Sequence, residues 1–379
     1  MRILIVSKAL ISAAYRQKLV ELARLGVEVH AAVPPNWREA GRDQPLEPGA
    51  DGGHSLTVTP IRFNGHFHLH YYPKLPEIVD RVHPDLIHLD EEPHNLATYL
   101  GVCVADRRGI PAVFFTWQNI PHRYPPPFRE LERRVYRSSA GALAGNGDAS
   151  AILRRKGYAK RVAVIPQFGV DPDAFAPAPR DRSGFTIGFL NRLIPAKGPA
   201  IVLDAFGSLP PTSRLRIVGD GPCTAAIREE ICRRGWDSRV TIEPRVASVR
   251  MPRLLKQMDV VVLPSISTRH WKEQFGRILV EAMACGIPVV GSNSGEIPNV
   301  IGDAGLVVPE GDADALAAAL ARLHGTPALR ADLAARGRAR VLARFTHAEI
   351  ARATRTYYER VLRDYYAFAP CQASDLPIH

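Results

Sequence analysis

Two glutamates, Glu273 and Glu281, stand eight positions apart in the stretch EQFGRILVE (273–281), around a Phe-Gly. Two carboxylates can form an acid/base pair that breaks a bond, or they can hold two parts of a polyhydroxylated ligand. The spacing helps to choose. Gly276 sits where a helix begins, so the N–H groups there point at whatever lies in front, and such a helix end receives anions. Glu273 lies just before the helix and reaches the same ligand. Glu281 is two turns further on, and at about 100° per residue it sits about 80° round from Glu273. A glycosidase pair needs carboxyls flanking one bond at roughly 5–10 Å. Separate contacts to two parts of one long ligand fit better; the plain alternative is two glutamates on a helix surface.

Other polar groups stand at the ends of apolar runs. GFLNRLIPAKG (188–198) places Arg192 and Lys197 beside a turn. Two fixed cations there suit a diphosphate and stabilise charge developing on a phosphate leaving group. Taken alone, the segment fits two surface cations equally well. GDGP (219–222) ends another strand, and Gly219 lets a ligand come close to the backbone, although turns use the same residues. If HFHLHYY (66–72) is extended, its three histidines share one face, as metal ligands do. An ordinary turn is the favoured reading, because PKLPEIVDRVHPD follows as a helix.

Such residues need elements to position them, and the chain supplies a regular series. RILIVS (2–7), VEVHAAVP (27–34), DLIHLD (85–90), PAVFFTW (111–117) and VAVIP (162–166) read as strands, with helices at 15–26 and 95–109. APAPRDRSG (176–184) breaks the pattern and reads as a linker. A second series follows: TIGFL (186–190), RLRIVG (214–219), RVTIE (239–243), DVVVLPS (259–265), PVVGS (288–292) and AGLVVP (304–309). Strands alternating with helices imply parallel βαβ units. The expectation is α/β: two doubly wound parallel-sheet domains, 1–176 and 177–350, facing a cleft where ligands bind beyond the carboxyl ends of the strands. The tail, 351–379, opens with an amphipathic helix whose Tyr357, Val361 and Tyr365 form one stripe, expected to pack back on the first domain.

The bulk composition narrows the field. The 379 residues exceed one ordinary core, and 46% hydrophobic with 23% charged is usual for a globular chain. There is no run of about 18 apolar residues to span a membrane, and Lys8 interrupts the apolar start, so the N-terminus reads as a first strand. The net charge of +11 suits nucleic acid, anionic lipid or phosphorylated small molecules. No nucleic-acid-binding signature accompanies it. The basic segments RRVYR (133–137) and LRRKGYAKR (153–161) read as a solvated face that also permits a peripheral membrane contact. Five cysteines, Cys103, Cys223, Cys232, Cys285 and Cys371, lack paired spacing; this points to a reducing cytoplasm and away from zinc or a disulfide framework.

In order along the chain, GFLNRLIPAKG, RIVGDGP, DVVVLPS and EQFGRILVEAMACGIPVVGSNSGEIPNVI resemble the nucleotide-sugar domain of the retaining family 4 (group 1) glycosyltransferases, of the two-Rossmann GT-B fold. VIPQFGVDPDAF (164–175) is similar to the segment before the linker in that family. The resemblance implies that Arg192 and Lys197 bind the donor diphosphate and that Glu273 holds hydroxyls of the transferred sugar. It implies that Phe275, Gly276 and Arg277 offer backbone N–H groups, that Glu281 binds the ribose, and that backbone near Arg245 and Val246 faces the base. It implies no metal and no cofactor; fixed cations replace the magnesium that DEE (90–92) invites.

The first half departs from the family pattern. SKALIS (7–12) stands where many members have a Gly-Gly loop, and Gln118 stands where many have the histidine of Thr-x-His. Gln118 hydrogen-bonds a hydroxyl but cannot shuttle a proton. EEPHN (91–95) and TWQNIPHRYPPPF (116–128) carry Glu92, Trp117, Gln118 and Asn119 and are taken as the acceptor side, or else as a rigid loop support. The function expected is transfer of a sugar from a nucleotide diphosphate sugar, UDP- or GDP-linked, to an acceptor hydroxyl with retention. The alternatives are a nucleotide-sugar binding protein without transfer activity and a GT-B sugar epimerase. The expected partners are the donor, a hydroxyl-bearing acceptor and, through the basic first half, a peripheral membrane surface, with no nucleic acid.

Overall fold

Parallel strands covered on both faces are apolar along most of their length. RILIV, LIHL and VVVL are buried at nearly every position. The computed structural model describes residues 1–39, 42–49, 52–179 and 184–368. The first half contains β1 (Arg2–Val6), β2 (Glu28–Val33), β3 (Asn36–Glu39), β4 (Arg42–Pro45), β5 (Ser55–Val58), β6 (Leu86–Leu89), β7 (Ala112–Thr116), β8 (Gly141–Ala144) and β9 (Arg161–Val164). The second contains β10 (Phe185–Leu190), β11 (Ser213–Val218), β12 (Val240–Glu243), β13 (Val260–Leu263), β14 (Val289–Ser292) and β15 (Leu306–Val308).

Seven strands form one sheet in the order β5-β2-β1-β6-β7-β8-β9 and six form another in the order β12-β11-β10-β13-β14-β15; β3 and β4 make a separate antiparallel hairpin. All pairings within the two larger sheets are parallel. Strand order reverses between β1 and β6 in one sheet and between β10 and β13 in the other. Chain leaving adjacent strands at a reversal diverges to opposite faces and opens a crevice. The loops after β1, β6, β10 and β13 therefore frame the site.

HFHLHYY forms the turn its sequence favours, with His70 buried and its Nδ1 2.9 Å from the Phe67 carbonyl. Two stretches differ from their reading in the sequence. LRRKGYAKR is only partly a solvated face: Leu153 and Tyr158 are buried, and Lys156 and Lys160 turn inward onto protein acceptors. The last helix runs His347–Phe368, starting ahead of residue 351. It lies on the helix Ala13–Arg24, donates from Arg355 to the Leu25 carbonyl at 2.8 Å, and joins Tyr358 to His88 at 2.6 Å. Part of the linker stretch 176–184, Cys371 and the end of the tail lie outside the described residues.

The chain passes between the halves twice, and the passages run side by side. The Val170 N–H donates to the Phe345 carbonyl at 2.9 Å, and the His347 N–H donates to the Val170 carbonyl at 3.2 Å. Gly169 makes this approach feasible: a Cβ there would lie 2.4 Å from the His347 nitrogen and 2.5 Å from the Thr346 carbonyl carbon. Backbone cannot yield as a flexible side chain can. Gly169→Ala should therefore lower the unfolding free energy by about 1–3 kcal/mol, the usual range for overpacking. Urea denaturation checks this; an unchanged midpoint would show that the passages have room to separate.

Candidate active site at the domain cleft

Lys197 closes a short turn, Pro195–Lys197, after β10. Gly198 follows in the left-handed region at φ 72°, and a Cβ there would lie 2.1 Å from the Pro264 carbonyl oxygen. Only glycine lets this turn press against the end of β13. The approach sets the Lys197 ammonium 2.5 Å from the Glu273 carboxylate, whose Oε2 also accepts from the Ser265 hydroxyl at 2.8 Å. The Trp271 ring lies 4.8 Å from the same ammonium. Both charges are buried: Lys197 is 8% exposed and Glu273 6%.

Glu281 belongs to the helix Arg277–Ala284, which Gly276 opens at φ 79°. Its carboxylate lies 2.7 Å from Arg277 Nε, one turn earlier. Burial raises its pKa, while the Arg277 charge opposes that rise. The Arg277 guanidinium lies over the Tyr15 ring of the first domain, 5.1 Å away. Each glutamate thus has its own cation. An acid/base pair needs one carboxyl holding a proton and one free to take it; here each carboxylate is ion-paired with its own cation.

Arg277, Arg245 and Val246 line a cleft of about 690 Å³, closed on the other side by Ser12, Gln17 and His347. Burial, with Arg277 adding repulsion, lowers the His347 pKa to about 4. Gly219 packs the loops: a Cβ there would lie 1.8 Å from the Asn191 carbonyl oxygen, and its N–H is already bonded to the Glu243 carbonyl at 3.0 Å. Arg192 is exposed, and its side chain makes no ion pair or hydrogen bond among the described residues. The Phe275 ring sits between Trp117, 6.0 Å away, and Phe345, 5.8 Å away.

The first domain meets this loop through polar contacts. Asn119 Nδ2 donates to the Lys272 and Glu273 carbonyls at 3.2 and 3.1 Å. Gln274 Nε2 donates to the Trp117 carbonyl at 3.1 Å, and Asn146 Nδ2 donates to the Gln274 carbonyl at 2.8 Å. Lys272 pairs with Asp148 at 2.5 Å. Glu92 accepts from the Thr116 hydroxyl at 2.6 Å and the Trp117 N–H at 2.7 Å, and burial pushes its carboxyl up to about 7. Gln118 is 9% exposed, and its Oε1 accepts from Lys156 at 3.0 Å.

The SKALIS loop has a different filling from a glycine pair. Lys8 pairs with Glu91, which Lys8 and His70 hold at about 2 against the burial that would raise it. Glu47 reaches over from beyond β4 and accepts from the Ala13 N–H at 2.7 Å and the Ser12 hydroxyl at 3.2 Å. The N-terminus of the helix Ala13–Arg24 therefore already holds a carboxylate of its own chain. Sequence reasoning missed Glu47, Tyr15, Lys156 and Glu132. None lies in a spaced motif, and Lys156 was hidden in a basic run. Among the described residues, no group of three His, Cys, Asp or Glu side chains is placed to hold a metal ion, and no helix is long and apolar enough to cross a membrane.

Comparison with known proteins identifies the family and the fold. A family model described as group 1 glycosyl transferases matches residues 171–340, and one for the glycosyl transferase 4-like domain matches residues 11–167. A D-inositol 3-phosphate glycosyltransferase of Mycobacterium marinum is 30% identical over 266 residues, 64% of this chain and 55% of that protein. The match thus spans little more than half of that relative. One of Rhodococcus opacus is 28% identical over 84% of this chain and 78% of its own length. The crystal structure of Anabaena HepE in complex with UDP superposes with a TM-score of 0.74 at 20% identity, covering 95% of this chain and 100% of that one. The chain belongs to the group 1 glycosyltransferases, and its two facing parallel-sheet domains are the GT-B fold.

Proposed function

We propose that this protein transfers a sugar from a nucleoside diphosphate sugar to an acceptor hydroxyl with retention at the anomeric carbon. The buried Lys197–Glu273 pair carries this reading. Glu273 is held by an ammonium and a hydroxyl, so it serves to bind hydroxyls of the transferred sugar and not as a nucleophile. A front-face reaction needs no protein nucleophile. The bond from the anomeric carbon to the diphosphate oxygen breaks, the acceptor oxygen bonds to the same face, and its proton passes to the departing phosphate. Lys197, the exposed Arg192 and the N–H groups at Gly276 stabilise the charge on that leaving group, in the place a metal ion would take.

Glu281 is assigned to the ribose and the backbone at Arg245 and Val246 to the base, on the walls of the 690 Å³ cleft. The similar proteins support the two substrates: the Anabaena HepE structure holds UDP, and the Mycobacterium marinum and Rhodococcus opacus relatives are D-inositol 3-phosphate glycosyltransferases. The exposed Arg133, Arg134 and Arg137 support an acceptor met at an anionic membrane surface.

Lys197→Ala should lower transfer about 10²–10³-fold, as loss of a fixed electrostatic contact to a developing anion does. Nucleoside diphosphate release measures this, with a melting curve to establish that the variant is folded. Unchanged turnover together with unchanged donor affinity would refute the assignment. Glu281→Gln should instead weaken nucleotide binding about tenfold and alter kcat much less, since it removes a charge-assisted ribose contact. A thermal-shift series with UDP, GDP and ADP reads that loss and names the base, because a ligand at 100 times its Kd stabilises the fold by about 2.7 kcal/mol.

A further inference from the structure

Arg277 is the first residue of the helix Arg277–Ala284. A cation in the first turn faces the positive end of the helix dipole, and an arginine four residues ahead of a glutamate is the weaker order for a pair on a helix. Local helix energetics therefore do not account for an arginine at this position. Its surroundings do. The guanidinium lies over the Tyr15 ring, 5.1 Å away, and Tyr15 stacks on Phe168 with centroids 3.9 Å apart and planes 4° from parallel. Tyr15 belongs to the helix Ala13–Arg24, and Phe168 stands two residues before Val170 in the first passage between the halves. A cation over a stacked ring pair thus joins the second domain, the first domain and the passage between them.

Arg277 holds Glu281 by one oxygen. Its Nε stands 2.7 Å from Oε1, and among the described residues no protein donor reaches Oε2. Glu281 is 7% exposed, and Arg277 lies on the wall of the 690 Å³ cleft. A buried carboxylate gripped at one oxygen is fixed in orientation and keeps the lone pairs of the other for a ligand. Its charge depends on the same contact. Burial favours the neutral carboxyl, and the Arg277 charge opposes this.

We propose that the Arg277 side chain is a positioning residue for nucleotide binding. Clasped between Glu281 and the Tyr15–Phe168 stack, it leaves Glu281 Oε2 to accept from ribose hydroxyls and lets the first domain support a contact made by the second. This rests on the ribose assignment of Glu281 above.

The probes are UDP and GDP beside their 2′-deoxy forms, titrated by calorimetry, and UDP-glucose and GDP-mannose between about pH 5 and 8, where their diphosphates carry no titrating proton. Arg277→Met keeps a stem over Tyr15 and removes the charge. Affinity for the ribose form should fall about tenfold and for the deoxy form little, so the preference for ribose shrinks. Sugar-nucleotide affinity is present while Glu281 is ionised and is lost as pH falls through its pKa; without Arg277 that loss should come at higher pH than in wild type. Tyr15, Glu281 and His347 face Arg277, Lys18 and Asp171 act on His347, and Glu47 and Arg245 share the cleft wall. Burial and Arg277 hold His347 at about 4. Protonation of His347 in the variant would strengthen diphosphate binding as pH falls, the opposite sign. Arg277→Lys, which returns the charge, should return the wild-type pH profile. Tyr15→Leu should shrink the ribose preference and Tyr15→Phe should keep it, with melting curves to establish that each variant is folded.

A wild type that binds none of these nucleotides overturns the nucleotide reading and this proposal with it. A wild type that binds ribose and deoxyribose forms alike overturns the Glu281 assignment and, with it, this role. A wild-type ribose preference and pH profile that Arg277→Met retains overturn the role of Arg277 alone. Equal losses for ribose and deoxyribose forms mark a direct phosphate contact and overturn it too. An unaltered Tyr15→Leu overturns the part given to the first domain.

Discussion

A lysine and a glutamate buried against each other tolerate little misplacement. Taking either charge out of water costs several kcal/mol, and the partner offsets that only at hydrogen-bonding distance with its remaining lone pairs satisfied. Lys197 and Glu273 meet the condition at 2.5 Å, with Ser265 on the same oxygen. Three segments must therefore converge: the turn after β10, the end of β13, and the loop before Arg277. Glycine provides the convergence where a side chain would block it. Gly198 lies against the Pro264 carbonyl, and Gly295, at φ 51°, against the Glu273 carbonyl, 2.0 Å from where its Cβ would be. The pair thus pins the second sheet where its strand order reverses.

The same loop carries contact to the first domain, much of it through its backbone. The carbonyls of Lys272, Glu273 and Gln274 accept from Asn119 and Asn146, while Trp117 returns a carbonyl to Gln274. Hydrogen bonds to carbonyls fix position without burying much apolar surface, and domains joined this way are free to move relative to one another. The two passages between the halves are themselves paired at Val170 and Thr346. The helix His347–Phe368 is packed into the first domain through Ile350, Tyr357, Tyr358 and Val361.

Much of this was legible because the information is local. A buried parallel strand writes itself as an apolar run, and the loops after β10 and β13 hold Arg192, Lys197 and Glu273 within short spans of such runs. The hairpin β3–β4 was missed because NWRE and RDQP are polar and give no period. Glu47 was missed because its partners, Ser12 and Ala13, lie more than thirty residues away in the chain. Lys156 was missed for a related reason. In LRRKGYAKR nothing local separates a cation turned inward from its solvated neighbours; only the fold brings Glu132 and Gln118 to it.

These distant contacts change how the two domains divide the proposed reaction. The helix end that the first domain would offer to a phosphate already holds Glu47, and its cations Lys8 and Lys156 are already paired with Glu91 and Glu132. In the proposed reaction the charge of a departing diphosphate would therefore fall to the second domain, to Lys197, Arg192 and the N-terminus at Gly276. Beside Lys156 the first domain leaves neutral donors unpaired among the described residues, the Gln118 Nε2 group foremost. Neutral groups recognise hydroxyls without adding a field that would compete for the leaving phosphate. A glutamine at position 118 fits this division better than a histidine, since its donor capacity does not change with pH and its orientation is set by a cation that has no acceptor to offer.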